Sequence, residues 1–254
     1  MPVGERHLLI LGGTAQAARL AAAIEPHFGG AIAVTTSLAG RTNAPRTVAG
    51  EIRIGGFGGA AGLADWLEAA GIDMVVDATH PFAARISANA RHACAAAAVP
   101  RLILARAPWR DNPGDDWRRA ADLAHAAAIV PDVGKRVFLS VGSQGIGAFT
   151  ELKNIHFIVR MIDPPAEDLP LDDYMLVLER GPFEEASELR LLRDARIDAV
   201  VSRNSGGTAT FAKIAAARRL GLPVIMVAPP PPGPGLRVDT LEEVLQWIEK
   251  EGVD

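Results

Sequence analysis

Cysteine is almost missing from the chain: Cys94 is the single copy in 254 residues. That excludes an internal disulfide and any metal site assembled from several thiolates. Its setting, Ala93 to Ala98, makes it a small apolar packing residue. The six histidines are scattered, and neither His-x-x-x-His nor Cys-x-x-Cys occurs, so no bound metal is expected. The serine nucleophile pattern G-x-S-x-G is also absent, which turns the expectation away from ordinary hydrolase chemistry. No run of about 18 uninterrupted apolar residues is present, so no membrane span or membrane partner is expected. The apolar segment after Met1 to His7 is too short for a signal sequence, and a cytoplasmic location is the expectation. Charge of one sign is lacking too. A formal net charge of -4 and a pI near 5.9 give no reason to expect nucleic acid, so a polyanionic ligand must meet a local basic patch. Nothing specifies an oligomer, and a monomer is compatible with the composition.

What the chain does have is hydrophobic content, 49%, enough for more than one buried core. Short, often β-branched apolar runs alternate with Ala/Leu-rich helical stretches, the pattern of parallel strands joined by crossover helices. The fold class expected is α/β, as two Rossmann-like lobes with parallel sheets and a cleft between them. Strands are expected at 8–11, 31–36, 74–77, 101–105, 136–140, 156–160, 175–178, 199–202 and 224–227. Helices are expected at 15–24, 61–70, 81–97, 182–195, 208–220 and 241–250. A weak internal repeat supports two lobes: Gly71-Ile72-Asp73-Met74-Val75-Val76-Asp77 is echoed by Arg196-Ile197-Asp198-Ala199-Val200-Val201-Ser202. The boundary is placed near Pro131, giving an N-terminal nucleotide-binding lobe, 1–132, and a C-terminal lobe, 133–254, that completes the substrate cleft. The proline-rich stretch 229–235 reads as a stiff connector before the last helix.

Several motifs fall where α/β sheets bind ligands. Ile10-Leu11-Gly12-Gly13-Thr14 follows the first strand and opens the first helix, where small residues let backbone amides approach a pyrophosphate. It departs from G-x-G-x-x-G at Thr14 and Ala17, and a tight turn capped by Thr14 accounts for the same residues. The second strand runs into Ser37-Leu38-Ala39-Gly40-Arg41-Thr42. An NAD site places an acid here for the ribose hydroxyl, whereas hydroxyls and an arginine suit the 2′-phosphate of NADP. Gly55-Gly56-Phe57-Gly58-Gly59 suits either a ligand or a flexible strand exit. Asp77-Ala78-Thr79-His80-Pro81-Phe82-Ala83 ends another strand, with Pro81 as the expected first helical residue and His80 facing the ligand or serving as a loop hydrogen-bonder. Arg203-Asn204-Ser205-Gly206-Gly207 holds the matching place in the second half. Asn204 and Ser205 are expected to cap the next helix, Gly206 to expose amides to an anion, and Lys213 to follow along that helix, solvated or ligand-bound.

Together these segments, with Gly181-Pro182-Phe183 and Gly221-Leu222-Pro223-Val224, resemble the precorrin-6A reductase family, in its metal-free and cobalt-containing forms. The likeness spans nearly the whole chain. Arg203 stands where the family's pattern has Lys, and Ala228 where it has Arg. The resemblance implies NADPH-dependent reduction of precorrin-6A to precorrin-6B in cobalamin biosynthesis, with hydride delivered to ring carbon C19 and a proton to the neighbouring carbon. On that basis Gly12, Gly13, Thr14, Ser37, Leu38, Gly40, Arg41 and Thr42 are the candidate cofactor residues, and His80 the candidate catalytic one. Arg85, Arg160, Arg203, Asn204, Ser205, Gly206 and Lys213 are the candidates for a flat tetrapyrrole fringed with carboxylates. Two other classes stay open on the residues alone: a non-redox tetrapyrrole synthase resembling uroporphyrinogen-III synthase, and a non-enzymatic NADP-sensing module.

Overall fold

A computed structural model of the chain describes residues 6–40 and 48–251. It contains two α/β units, each built on a six-stranded, wholly parallel sheet. The first sheet takes β1 (Arg6–Leu11), β2 (Ile32–Leu38), β3 (Glu51–Ile54), β4 (Met74–Asp77), β5 (Arg101–Leu104) and, from the far end of the chain, β12 (Leu236–Val238). Their spatial order is β12-β5-β4-β1-β2-β3. The second sheet takes β6 (Trp117–Ala120), β7 (Arg136–Ser140), β8 (His156–Met161), β9 (Tyr174–Leu178), β10 (Ala199–Arg203) and β11 (Val224–Val227), in the order β6-β11-β10-β7-β8-β9. Five strands match position for position, and the edge strand beside β5 or β11 does not: β12 follows the other strands of its sheet in the chain, whereas β6 precedes those of its own. The first is the doubly wound Rossmann order and the second a permuted form of it; in both the strand sequence reverses direction at a switch point, here β1/β4 and β7/β10.

The first sheet shows why its strands read as continuous apolar runs. Leu8 and Ile10 of β1 pack with α1 (Ala15–Phe28) and α7 (Leu241–Glu251), through Leu20, Ile24, Val244 and Ile248. Leu9 and Leu11, pointing the other way, pack with Leu63 and Leu67 of α2 (Ala60–Ala69) and Ala90, Ala93 and Cys94 of α3 (Ala84–Ala96). Successive side chains of a strand face opposite sides, so a strand covered on both faces has no polar positions left. In the second unit Phe138, Ile158, Val200 and Met226 pack with α5 (Glu185–Asp194) and α6 (Ala212–Leu220). There α4 (Leu123–Val133) lies against β6, β10, β11 and a 3-10 helix, Ser143–Phe149.

The division of the chain differs from the expected boundary near Pro131. One unit holds residues 1–106 and 231–254, the other 107–230. The reason lies in strand pairing. β6 extends the second sheet beside β11, in register from Trp117↔Val224 to Ala120↔Val227, so β6 and α4 belong to the second unit. β12 pairs with β5, Leu236↔Leu102 to Val238↔Leu104, so β12 and α7 return to the first unit. The proline-rich stretch is therefore the return crossing of the chain, leading into a strand. Three helix starts also shift: α3 begins at Ala84 rather than Pro81, α5 at Glu185 rather than 182, and α6 at Ala212 rather than 208. Ala83 N–H donates to the His80 carbonyl at 2.7 Å, so Thr79 to Ala83 forms a separate turn before α3.

Candidate functional site

At the switch point of the first unit, β1 ends in bare backbone. Gly12 N–H donates to the Ser37 carbonyl at 2.9 Å. A methyl group on Gly12 would lie 2.7 Å from Thr36 Cγ2, so only glycine lets the end of β1 run this close to β2. Gly13 follows at φ +92°, a left-handed value, and turns the chain into α1. Thr14 is the cap: its hydroxyl accepts from Ala17 N–H at 3.0 Å and donates to the Ala78 carbonyl at 2.9 Å. One side chain thus starts the helix and ties β1 to the end of β4. Helix geometry leaves the amides of Ala15 and Gln16 without an intrahelical acceptor, and the first turn carries no acid to compete for them. The arrangement suits an oxyanion.

Ser37 and Leu38, at the end of β2, are buried, and the buried Thr36 hydroxyl beside them has no hydrogen-bond partner among the described residues. Gly40 lies at φ +68°. Arg41 and Thr42 lie outside the described residues. Register neighbour to Ser37 is Arg53 of β3, a residue that no sequence motif singles out. Its guanidinium donates to the carbonyls of Gly55 (2.9 Å) and Gly56 (2.8 Å) and stacks on the Phe57 ring at 3.8 Å. Arg53 thereby ties down the start of the glycine-rich segment and packs on its one aromatic, while positive φ at Gly55 (+116°), Gly58 (+78°) and Gly59 (+105°) accounts for three of its glycines.

His80 sits half-buried just past β4. Its Nδ1 accepts from Phe82 N–H at 3.2 Å, which leaves the ring hydrogen on Nε2. Asp77, buried at the end of β4, accepts from both the amide (3.2 Å) and hydroxyl (2.7 Å) of Thr79 and lies 3.7 Å from Arg101. It holds the turn that carries His80. The structure therefore brings Gly12, Gly13, Thr14, Ser37, Leu38 and His80 to the carboxyl ends of β1, β2 and β4. Arg85 is exposed, at the start of α3 in the same unit.

At the corresponding point of the second unit the turn after β7 is covered by a cation. A methyl group on Gly145 would lie 3.1 Å from Arg203 Nη2, and one on Gly142 3.8 Å from Nη1. Asn204 does not cap α6, whose start has no side-chain cap. Instead its Oδ1 accepts from Trp109 N–H at 2.7 Å and its Nδ2 donates to the Trp109 carbonyl at 2.9 Å. Trp109 Nε1 in turn donates to the Gly207 carbonyl at 2.6 Å. Ser205 and Gly206 are buried beside this clamp, Gly206 at φ +64°. Trp109, Arg110, Arg119, Asn204, Met226 and Pro229 line a pocket of about 320 Å³. Nothing in the sequence marked Trp109, Arg110 or Arg119, because their grouping depends on β6 joining β11.

Lys213 is not a solvated lysine: it is 3% exposed, its Nζ donates to the Thr210 carbonyl at 2.9 Å, and it lies 5.3 Å from the Trp109 ring. Burial pushes its pKa down to about 7, with Glu188 opposing and Arg160 adding to the fall. Arg160 is committed within the unit, in a two-bond pair with Glu188 (2.9 and 2.7 Å) and a further contact with Glu179 at 3.2 Å. Its guanidinium also stacks on Phe183 at 4.1 Å. Among the described residues there is no cluster of three or more His, Cys, Asp or Glu able to hold a metal, and no helix long and apolar enough to cross a membrane.

Comparison with known proteins adds the chemistry. The family model described as Precorrin-6x reductase CbiJ/CobK matches residues 7–249. A precorrin-6A reductase of Rhodococcus erythropolis is 47% identical over 242 residues, covering 95% of this chain and 96% of that one. Another, of Rhodobacter capsulatus, is 44% identical over 245 residues, with 96% of each covered. A cobalt-precorrin-6A reductase of Priestia megaterium is 27% identical over 196 residues, covering 73% of this chain and 76% of that one. Among solved structures, a CobK precorrin-6A reductase superposes with a TM-score of 0.92 at 44% identity, covering 97% of both chains.

Proposed function

Because the chain belongs to the precorrin-6x reductase CbiJ/CobK family, and so is an oxidoreductase that reduces precorrin-6A in cobalamin biosynthesis, we propose that NADPH is its reductant and that the first unit holds it. The observation that carries this reading is the contrast between the two switch points. In the first unit the turn after β1 presents bare backbone and uncapped amides, a fit for a pyrophosphate. In the second unit the guanidinium of Arg203 already lies over the equivalent turn. Gly12, Gly13 and Thr14 would hold the pyrophosphate; Ser37, Leu38, Gly40, Arg41 and Thr42 would hold the adenosine 2′-phosphate. When bound, the dihydronicotinamide supplies the hydride that goes to ring carbon C19.

The chain's own residues then position and protonate. His80, oriented by the Phe82 amide and carried on the turn that Asp77 fixes, would direct Nε2–H at the substrate; to pass a proton to the neighbouring ring carbon it would first take one up at Nδ1, giving up the bond from Phe82 N–H, and return to the neutral ring afterwards. Arg203, Ser205, Gly206 and Lys213 would meet the substrate's carboxylates, and Arg85 one at the periphery. Asn204 would act through the Trp109 main chain it clamps, and Arg160 through Glu188 and Lys213. The metal-free macrocycle is the favoured substrate. Relatives named precorrin-6A reductase are 41–47% identical to this chain, those named for the cobalt form 26–28%.

Titration calorimetry with NADPH and NADH tests the cofactor. NADPH should bind more tightly, and Arg41→Ala should weaken it by about 1.5–3 kcal/mol, as expected for loss of a charge-assisted contact, with NADH little changed. Binding of neither nucleotide would remove the cofactor assignment. Unchanged NADPH affinity in the variant would remove Arg41 from the site.

A further inference from the structure

At the carboxyl end of β5, on the side of β1 away from β2, two arginines of the first unit come together. Ala105 is fixed from both sides: its N–H donates to the Val238 carbonyl of β12 at 2.8 Å, and its carbonyl accepts from Gln16 Nε2 of α1 at 3.5 Å. Arg106 follows directly. On α1, Arg19 stands three residues beyond Gln16 and so shares its face of the helix, the one turned toward β5. Burial, and after it the charge of Arg19, lower the pKa of Arg106 below the usual guanidinium value, so the two cations are close enough to repel. Arg106 Nη2 is shut off from solvent and has no hydrogen-bond partner among the described residues. Among those residues no carboxylate pairs with Arg19 or Arg106, although the chain pairs many of its other arginines, such as Arg119 with Asp111 and Arg218 with Asp115.

A buried, unsatisfied guanidinium donor beside a second cation is unfavourable on its own and becomes favourable when an oxyanion joins it, since the fork of N–H groups matches two oxygens. We propose that Arg19 and Arg106 form a subsite for one peripheral carboxylate of the macrocycle, which rests on precorrin-6A being the substrate. Position favours a substrate carboxylate over a cofactor phosphate. Strands lie about 4.8 Å apart, which sets β5 roughly 10 Å from β1 and roughly 14 Å from β2, away from the ends proposed for the pyrophosphate and the 2′-phosphate.

The test measures dissociation constants for precorrin-6A and NADPH separately, on the full-length wild type, Arg106→Met, Arg106→Lys and Arg19→Ala. Arg106→Met and Arg19→Ala should each weaken precorrin-6A at least tenfold and leave NADPH within twofold, with Arg106→Lys falling between. Unchanged precorrin-6A affinity in both, or a loss confined to NADPH, overturns the subsite. Should Arg106→Met fail to fold, the exposed Arg19 decides by the same criterion. If the wild type itself binds no precorrin-6A, the substrate assignment fails and takes the subsite with it. If the wild type binds and the variants match it, the subsite alone fails.

Discussion

Lys213 shows how much one side chain can depend on partners that sequence spacing does not reveal. Its position after a Gly-rich loop made it a ligand candidate, and its type made it a surface residue. The structure instead buries it among Trp109, Glu188 and Arg160, residues drawn from the loop before β6, from α5 and from β8. Burying an ammonium with one hydrogen bond costs stability, and the cost has a pH signature. The native pKa of about 7 lies below the unfolded value of about 10.4, so between those limits the unfolded chain holds a proton that the native chain has lost. Stability from this group therefore rises with pH across that window, and the full cost is present below pH 7. Lys213→Met should raise stability at pH 7 by a few kcal/mol, at most about the range seen when buried charges are replaced by apolar groups, and should flatten the pH dependence. Urea unfolding at several pH values between 6 and 10 reads both. An unchanged slope would mean that the ammonium is not buried in solution. The same variant should lose affinity for precorrin-6A, a cost in stability kept for binding.

Among the elements, those that proved legible are the ones with an uninterrupted apolar run, in most cases covered on both faces but including the exposed edge strand β9. β4, β7, β10 and β11 fall within a residue of the positions read from the sequence, and β1 within two. β3 (EIRI), β6 (WRRA) and β12 (LRV) were not, because each is a sheet edge, is three or four residues long, and carries arginine. Their strand character comes from the neighbour they pair with, and pairing with a strand distant in sequence leaves no local signal. The turn between β1 and α1 was legible as a Gly-Gly-Thr motif, but its reason was not: Gly12 is fixed by Thr36, which belongs to the next strand. Gly12→Ala should force β1 and β2 apart by driving a methyl into Thr36 Cγ2. A destabilisation of about 1–3 kcal/mol is expected for such overpacking, together with at least a tenfold loss of NADPH affinity as the turn shifts. Urea unfolding and nucleotide titration on the same preparation separate the two effects. A variant as stable as the wild type with normal NADPH binding would show that the turn has room and is not the cofactor's cradle.

At the scale of the molecule, the repeat seen in the sequence is present as two sheets that share the order of five strands, yet neither repeat supplies a whole sheet. The first half of the chain lends β6 and α4 to the second unit, and the second half returns β12 and α7 to the first. A boundary near Pro131 follows the repeat in sequence, whereas the sheets follow the exchange. Composition shows no break at 106, and the proline-rich break at 229–235 does not by itself say that the chain changes sheets there, because the lent strands pair with β11 and β5 across long separations. The exchange has an energetic consequence. Val244, Trp247 and Ile248 of α7 belong to the same core as Leu8, Ile10, Leu20 and Met74. Burial of each large apolar side chain is worth about 1.5–3 kcal/mol, so the three together approach the 5–15 kcal/mol that holds a typical domain folded. Truncation after Pro230 should therefore unfold the first unit, although it removes none of the residues proposed to hold the cofactor. Fragments 1–132 and 133–254 should each lack cooperative unfolding when alone and regain it when mixed, since each carries the strand and helix the other needs. Near-ultraviolet circular dichroism of the separate and mixed fragments reads this through the four tryptophans. Cooperative folding of 1–132 alone would show that β12 and α7 are dispensable to the first sheet.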